Sequence, residues 1–267
     1  NTLTAFNSDG FTTNGHDNTN KAEDNYISWN WDAGTAAATP STDGTITPDA
    51  QWINATSGFS LIKYTGTAAN ATIGHGLSSA PDFMILKDYT AGSTDWQAWH
   101  SSLSGTQGLQ LTTGGAFTQA DMWNDTAPTD SVIHLGSGNG TNKSGESIML
   151  YAWTTVSGYS AFGSYTGTGG SDGPFVYTGF KPAFIIFKRT DGGPTDWIFL
   201  DAGRHPDNEN DLAMFPNTTS ADATQQDTDF LSNGFKLRNT SGGTNGNGNT
   251  YSYSAWAEYP FKTTRAR

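Results

Sequence analysis

The chain repeats itself. Residues 76–102, GLSSAPDFMILKDYTAGSTDWQAWHSS, and residues 179–204, GFKPAFIIFKRTDGGPTDWIFLDAGR, carry in one order a Pro, a short apolar run opening on Phe, a Lys, and Thr-Asp-Trp. Pro81 and Pro182, Phe83 and Phe184, Lys87 and Lys188, and Trp96 and Trp197 each lie 101 residues apart. An offset shared by four separated landmarks constrains the fold more tightly than local propensity does, because whatever one copy forms the other must form too.

The echo extends over most of the 267 residues. GFSLIKYTG (58–66) returns as GYSAFGSYTG (158–167), and SIMLYAW (147–153) returns as TYSYSAW (250–256). The repeats therefore span 57–156 and 157–260, a period of about a hundred residues that suits tandem domains better than solenoid units. A partial third copy stands in front, since FNSDGFTT (6–13) resembles FLSNGFKLR (230–238) and NYISWNW (25–31) resembles TYSYSAW. Residues 32–56, rich in Ala, Thr, Pro and Gly, read as an exposed linker. The chain opens on Asn1, as expected of a piece processed or excised from a larger product.

Within each repeat the periodicity is that of strands. DFMILK and AFIIFK are short apolar runs bounded by turn residues, the pattern of a central strand buried on both faces. Further short runs follow between Gly, Asn and Ser turns, and no stretch sustains a helical period. The expected fold is all-β, with two tandem antiparallel β-sandwich or jelly-roll units of about 100 residues after a partial repeat (1–31). The Gly-rich segments GSGNGTNKSGE (136–146) and NTSGGTNGNGN (239–249) read as long hairpin tips.

Composition narrows the function. A net charge of −12 disfavours nucleic-acid binding, which needs Lys and Arg against phosphates. Cysteine is absent, which excludes disulfides and thiolate metal sites. No apolar run approaches the roughly eighteen residues of a helical span, so membrane insertion is not expected. No nucleophile elbow or phosphate loop is present, and no catalytic residue is assigned.

Three groups of residues remain as site candidates. Asp207, Glu209 and Asp211 alternate like the opening ligands of a Ca2+ loop, although Leu212 and Thr218 stand where an EF-hand needs Gly and Glu. The five histidines (His16, His75, His100, His134, His205) have no metal-pair spacing and read as structural or surface residues. Trp96/Trp197 and Trp153/Trp256 recur between copies, as core residues would. Trp52, Trp99 and Trp123 have no counterpart, which makes them the glycan-stacking candidates. For assembly, the front copy offers Tyr26, Trp29 and Trp31. The basic tail 261–267 offers Lys262, Arg265 and Arg267, three of the thirteen basic residues.

The blocks GFSLIKYTG, IGHGLSSAPDFMILK, GYSAFGSYTGTGGSDGPFVYTGFKPAFIIFKR, DFLSNGFKLR and AEYPFKTTRAR together resemble a repeat-bearing module of marine bacteriophage structural proteins. The resemblance implies an extracellular, virion-surface location, as in a tail fibre, with partners that are copies of the chain or other virion proteins. It implies no catalytic residues. The expectation is a non-enzymatic structural protein. A carbohydrate-binding module recognising a host-surface glycan is the alternative, and an extracellular hydrolase ranks third.

Overall fold

The computed structural model describes residues 3–260 apart from 8, 9, 38, 91, 93, 112 and 113. The tail carrying Lys262, Arg265 and Arg267 lies outside the described residues. The chain divides between Trp31 and Asp32 into two units.

The first unit holds β1 (Leu3–Asn7), β2 (Gly10–Thr13) and the single turn α1 (Asp17–Asn20). β1 and β2 pair antiparallel with Phe6 opposite Phe11 and Asn7 opposite Gly10. Residues 25–31, expected to form a strand like residues 250–256, form none. Tyr26 is instead tied locally, donating to the Asp17 carbonyl at 2.6 Å and accepting from the Lys21 amide at 2.9 Å. Phe6 is 83% exposed.

The second unit is built from antiparallel strands, as the alternation of short apolar runs and turns predicts. Its first part comprises β3 (Ala50–Asn54), β4 (Phe59–Thr65), β5 (Ala71–Gly74), β6 (Phe83–Asp88), β7 (Gln97–His100), β8 (Gln107–Gln110), β9 (Phe117–Thr118), β10 (Val132–Leu135) and β11 (Ser147–Trp153). Two single turns, α2 (Ala120–Trp123) and α3 (Asn139–Asn142), lie among them. Its second part comprises β12 (Ser160–Thr166), β13 (Phe175–Tyr177), β14 (Pro182–Arg189), β15 (Ile198–Asp201), β16 (Asn210–Ala213), β17 (Ala223–Leu231), β18 (Gly234–Leu237) and β19 (Thr250–Ala257).

One sheet runs β3-β4-β11-β6-β7-β8-β9 beside a two-stranded β10-β5 sheet. The others run β12-β19-β14-β15 and β13-β18-β17-β16. DFMILK and AFIIFK are thus the interior strands β6 and β14, as read from sequence. The orders β4-β11-β6-β7 and β12-β19-β14-β15 match strand for strand, and so do the pairs β5-β10 and β13-β18. β17 and β18 set Phe230 opposite Phe235 and Leu231 opposite Gly234, the register seen between β1 and β2.

Because side chains alternate across a strand, the β12-β19-β14-β15 sheet has two buried faces. One carries Ile185, Phe187, Tyr253 and Ala255 against Phe235, Phe230 and Val176 of the β13-β18-β17-β16 sheet. The other carries Phe162, Phe184 and Trp256 against the seven-stranded sheet. Trp256 meets Trp153 edge-on at 6.1 Å and Phe162 at 5.6 Å, and stacks on Phe184 at 5.5 Å. Phe83 stacks on Trp153 at 5.4 Å and reaches Phe162 at 6.3 Å. The repeated Trp153 and Trp256 are therefore the centre of an aromatic seam between the two parts.

Two expectations need correction. Residues 32–56 are not an exposed linker throughout: 50–54 form β3 on the edge of the seven-stranded sheet, and Ile46 is buried in a bridge to Ile73. Gln51 closes this attachment, donating to the Gly74 carbonyl at 3.0 Å and accepting from the Ser41 amide at 2.9 Å. The Gly-rich segments are not hairpin tips either, because β10 and β11, like β18 and β19, belong to different sheets. Each segment crosses between sheets and is pinned by one buried Thr-Asn pair. Tyr64 donates to the Thr141 carbonyl, as Tyr165 does to that of Thr244. Asn142 accepts from the Thr67 amide and donates to the Ala69 and Gly136 carbonyls. Asn245 accepts from the Thr168 amide and donates to the Gly170 and Asn239 carbonyls. Glycine is required where this clasp closes: a Cβ on Gly66 would lie 2.1 Å from the Lys143 carbonyl oxygen, and one on Gly167 2.4 Å from that of Gly246.

Candidate functional site

The repeated Thr-Asp-Trp motif enters β7 in one copy and β15 in the other, after a loop held by the Lys of the preceding strand. Lys87 Nζ donates to the Thr94 carbonyl and Lys188 Nζ to that of Thr195. From this common geometry the two tryptophans diverge. Trp197 is buried in the seam, its indole N–H donating to the Gln110 carbonyl at 2.9 Å and its ring 5.7 Å from Lys188 Nζ. Burial lowers the Lys188 pKa to about 8, against the raising effect of Asp196. Trp96 is 38% exposed, with Tyr151 at its back, ring centroids 6.4 Å apart.

Trp96 and Leu111 line a surface groove of about 600 Å³ together with Pro216, Asn217 and Thr218 of the second copy. Asn217 is fixed there, accepting from the Trp197 amide at 2.8 Å and donating to Asp196 Oδ1 at 2.8 Å. A flat indole, apolar neighbours and a polar rim form a surface on which a sugar ring can stack by its C–H face. Sequence reasoning placed Trp96 in the core because its counterpart recurs. The groove depends on a residue 111 to residue 216 juxtaposition that no local motif encodes.

The other sequence candidates fall elsewhere. Trp99 and Trp123, expected on a binding surface, are buried at 4% and 1% exposure and offer no stacking face. Trp99 sits opposite Met84 on the inner face of the seven-stranded sheet and donates to the Ser104 carbonyl at 3.1 Å. Trp123 is turned inward with Met122 by α2. Trp52 is half-buried on β3. Asp207, Glu209 and Asp211 do not build the Ca2+ loop their alternation suggests. Asp211 lies 3.5 Å from His205 Nδ1, and among the described residues no three His, Asp or Glu side chains gather as a metal site. Glu209 instead borders an open groove with Asp172, Asp229 and Arg238. Tyr26 is exposed, whereas Trp29 and Trp31 are half-buried in the first unit.

His75 and His100 are committed to structure. His75 Nδ1 accepts from the Leu77 amide, and its Nε2 contacts the Thr129 carbonyl at 3.1 Å. His100 Nδ1 accepts from the Ser102 amide, which leaves Nε2–H to donate to the Tyr253 carbonyl at 3.0 Å, across the seam. Burial lowers the pKa of both, that of His100 to about 4, so the imidazoles are neutral near pH 7.

No curated protein matches the chain, and no solved structure does. A family model matches residues 1–260, and by that match the chain belongs to the family described as a domain of unknown function, DUF7483.

Proposed function

We propose that the chain is a non-enzymatic structural module of a virion-surface appendage, built from two β-sandwich units spanning 57–156 and 157–260. The matching pairing orders of the two segments support the two-unit reading. The observation that carries the structural role is what the copies keep in common. The Tyr and Thr-Asn clasps, the lysine-held loops and the seam tryptophans are framework, and the residues that differ between copies include those around the grooves. The virion location rests on the sequence resemblance. Antibodies against residues 32–260, applied to intact particles from the culture that encodes the chain, test it. Decoration of a particle appendage is expected, and labelling confined to particle-free supernatant refutes the location.

The partial front copy gives this module an assembly surface. Phe6 occupies the register position of Phe230, yet Phe6 is 83% exposed and Phe230 4%. The strands that bury Phe230 come from the same copy; for Phe6 they are to be supplied by a neighbouring chain, in the manner of strand or hairpin exchange. Mass in solution across a concentration series is expected to report an oligomer, and Phe6→Ser is expected to shift it toward monomer.

A second reading, carbohydrate recognition at a host surface, is favoured by one observation. Trp96 is open on a groove while its counterpart Trp197 is buried. Retention of the chain on host-envelope polysaccharide, lost in Trp96→Ala, is the corresponding test.

A further inference from the structure

Trp96 precedes Gln97, the first residue of β7, and the two border different grooves with no lining residue in common. The groove at Gln97, of about 340 Å³, is bordered by Asp95, Gln97, Gln110, Gln119, Asp121 and Asn139. Gln97 is only 3% exposed, and its amide N–H donates to the Asp95 carbonyl at 3.2 Å. That bond fixes the orientation of the amide and leaves Oε1 as a buried acceptor with no partner among the described residues. A buried acceptor left unmade is destabilising, so its presence needs a reason.

The second copy supplies the comparison that excludes a framework reason. Ile198 stands where Gln97 stands, and the two side chains pack on equivalent glycines. A Cβ on Gly140 would fall 2.9 Å from Gln97 Nε2, and one on Gly243 would fall 2.7 Å from Ile198 Cδ1. The fold thus accepts an apolar side chain at this point, and the copy that carries Gln gives up that stability. Gln97 also faces Gln110 directly across the β7–β8 pair.

We infer that this groove is a binding subsite for one saccharide residue, with Gln97 Oε1 as the acceptor for a sugar hydroxyl. The lining decides the ligand class. Asp95 and Asp121, as carboxylates, only accept hydrogen bonds, while the amides of Gln110, Gln119 and Asn139 both donate and accept. A hydroxyl also does both, so a polyhydroxylated ring satisfies such a lining. Among the described residues no Lys or Arg borders the groove, and an anion would meet two carboxylates. A bare Ca2+ would draw six to eight oxygens to within about 2.6 Å, far tighter than a cavity of ring size. The subsite is independent of the Trp96 groove.

The test uses the intact chain titrated with free glucose, galactose, mannose and N-acetylglucosamine up to roughly 50 mM, the range that suits a single-residue subsite with millimolar affinity. Side-chain amide resonances and saturation transfer provide the readout. At least one sugar is expected to shift the Gln97 side-chain amide. Gln97→Ile, which copies the second repeat, is expected to weaken that binding at least tenfold while leaving the melting temperature equal or higher. Gln97→Met serves as a second variant that retains the length without the acceptor. Trp96→Ala is expected to leave the monosaccharide shifts in place, which separates this subsite from the Trp96 groove. The inference is overturned if no sugar perturbs the amide, as when a buried water alone meets Oε1. It is also overturned if Gln97→Ile and Gln97→Met bind as the parent does, or if CaCl2 alone reproduces the shifts.

Discussion

Removing the clasp asparagines one at a time tests whether the two copies are held by one device. Asn142 and Asn245 are both fully buried. Asn245→Ala strips a partner from the Thr168 amide and from the Gly170 and Asn239 carbonyls, at present bonded at 2.8, 2.8 and 2.6 Å. Asn142→Ala does the same to the Thr67 amide and the Ala69 and Gly136 carbonyls, at 2.8, 2.6 and 3.1 Å. A fully buried group left unpaired costs about 1–3 kcal/mol. In each copy one of the three bonds is fully buried, that to Asn239 or Gly136, while the other two are part-buried, to exposed or half-buried loop residues. The sum is about 2–4 kcal/mol for each variant, or a fall of roughly 4–16 °C in melting temperature for a unit of this size. Urea denaturation followed by tryptophan fluorescence reads the cost, with an unchanged m-value as the sign that the transition is the same one. The two variants are expected to agree within about 1 kcal/mol. Asn245→Asp is expected to cost at least as much as Asn245→Ala, because it sets a carboxylate oxygen against two carbonyls. A loss below about 0.5 kcal/mol in either single variant, the level of an ordinary surface change, would refute the clasp as a shared structural device.

Three further outcomes follow from the seam and its surroundings. Trp256→Ala removes the ring that touches Trp153, Phe162 and Phe184 and is expected to cost about 3–5 kcal/mol by chemical denaturation, whereas Trp96→Ala, half in solvent, is expected to cost well under that. His100 has a folded pKa of about 4 against an ordinary value of 6.5, so the unfolded chain takes up a proton that the folded chain refuses. The stability it lends is full above about pH 6.5 and is lost as the pH falls toward 4, about 3 kcal/mol in all, and His100→Gln is expected to flatten that part of the pH profile of the melting temperature. Gly66→Ala and Gly167→Ala, whose added carbon would meet the Lys143 or Gly246 carbonyl, are expected to lower the melting temperature, where an exposed glycine such as Gly193 tolerates the same change.

How much of this was open to sequence reasoning depends on whether a feature is local. Strand type and the centrality of DFMILK and AFIIFK were readable, because burial on both faces leaves a continuous apolar run. The linker reading failed at residues 41–54 since composition there is that of a loop. The attachment is carried by Ile46 and by one buried amide, Gln51, spaced too sparsely to form a pattern. The clasp was also missed, though a signal existed: Gly-Thr-Asn occurs at 140–142 and again at 243–245 inside segments whose abundant Gly and Asn disguised it.

The tryptophans show why recurrence misleads about exposure. A residue repeated between copies was read as core and an unrepeated one as surface, but in a duplicated chain the copies also bury against each other. Trp197 is covered because the carbonyl of Gln110, from the other copy, reaches its N–H. Its twin Trp96, at the same motif position, finds no equivalent cover and stays open. Conversely Trp99 and Trp123 are unrepeated because the inner face of the first copy carries α2, where the second copy builds its layer from β16 and β17, so their uniqueness marks a core that diverged. The more telling comparison runs position by position against the partner copy. Where the framework accepts Ile198 and the other copy keeps a buried glutamine with an unmet oxygen, the departure from the twin marks the place at which folding alone no longer explains the residue.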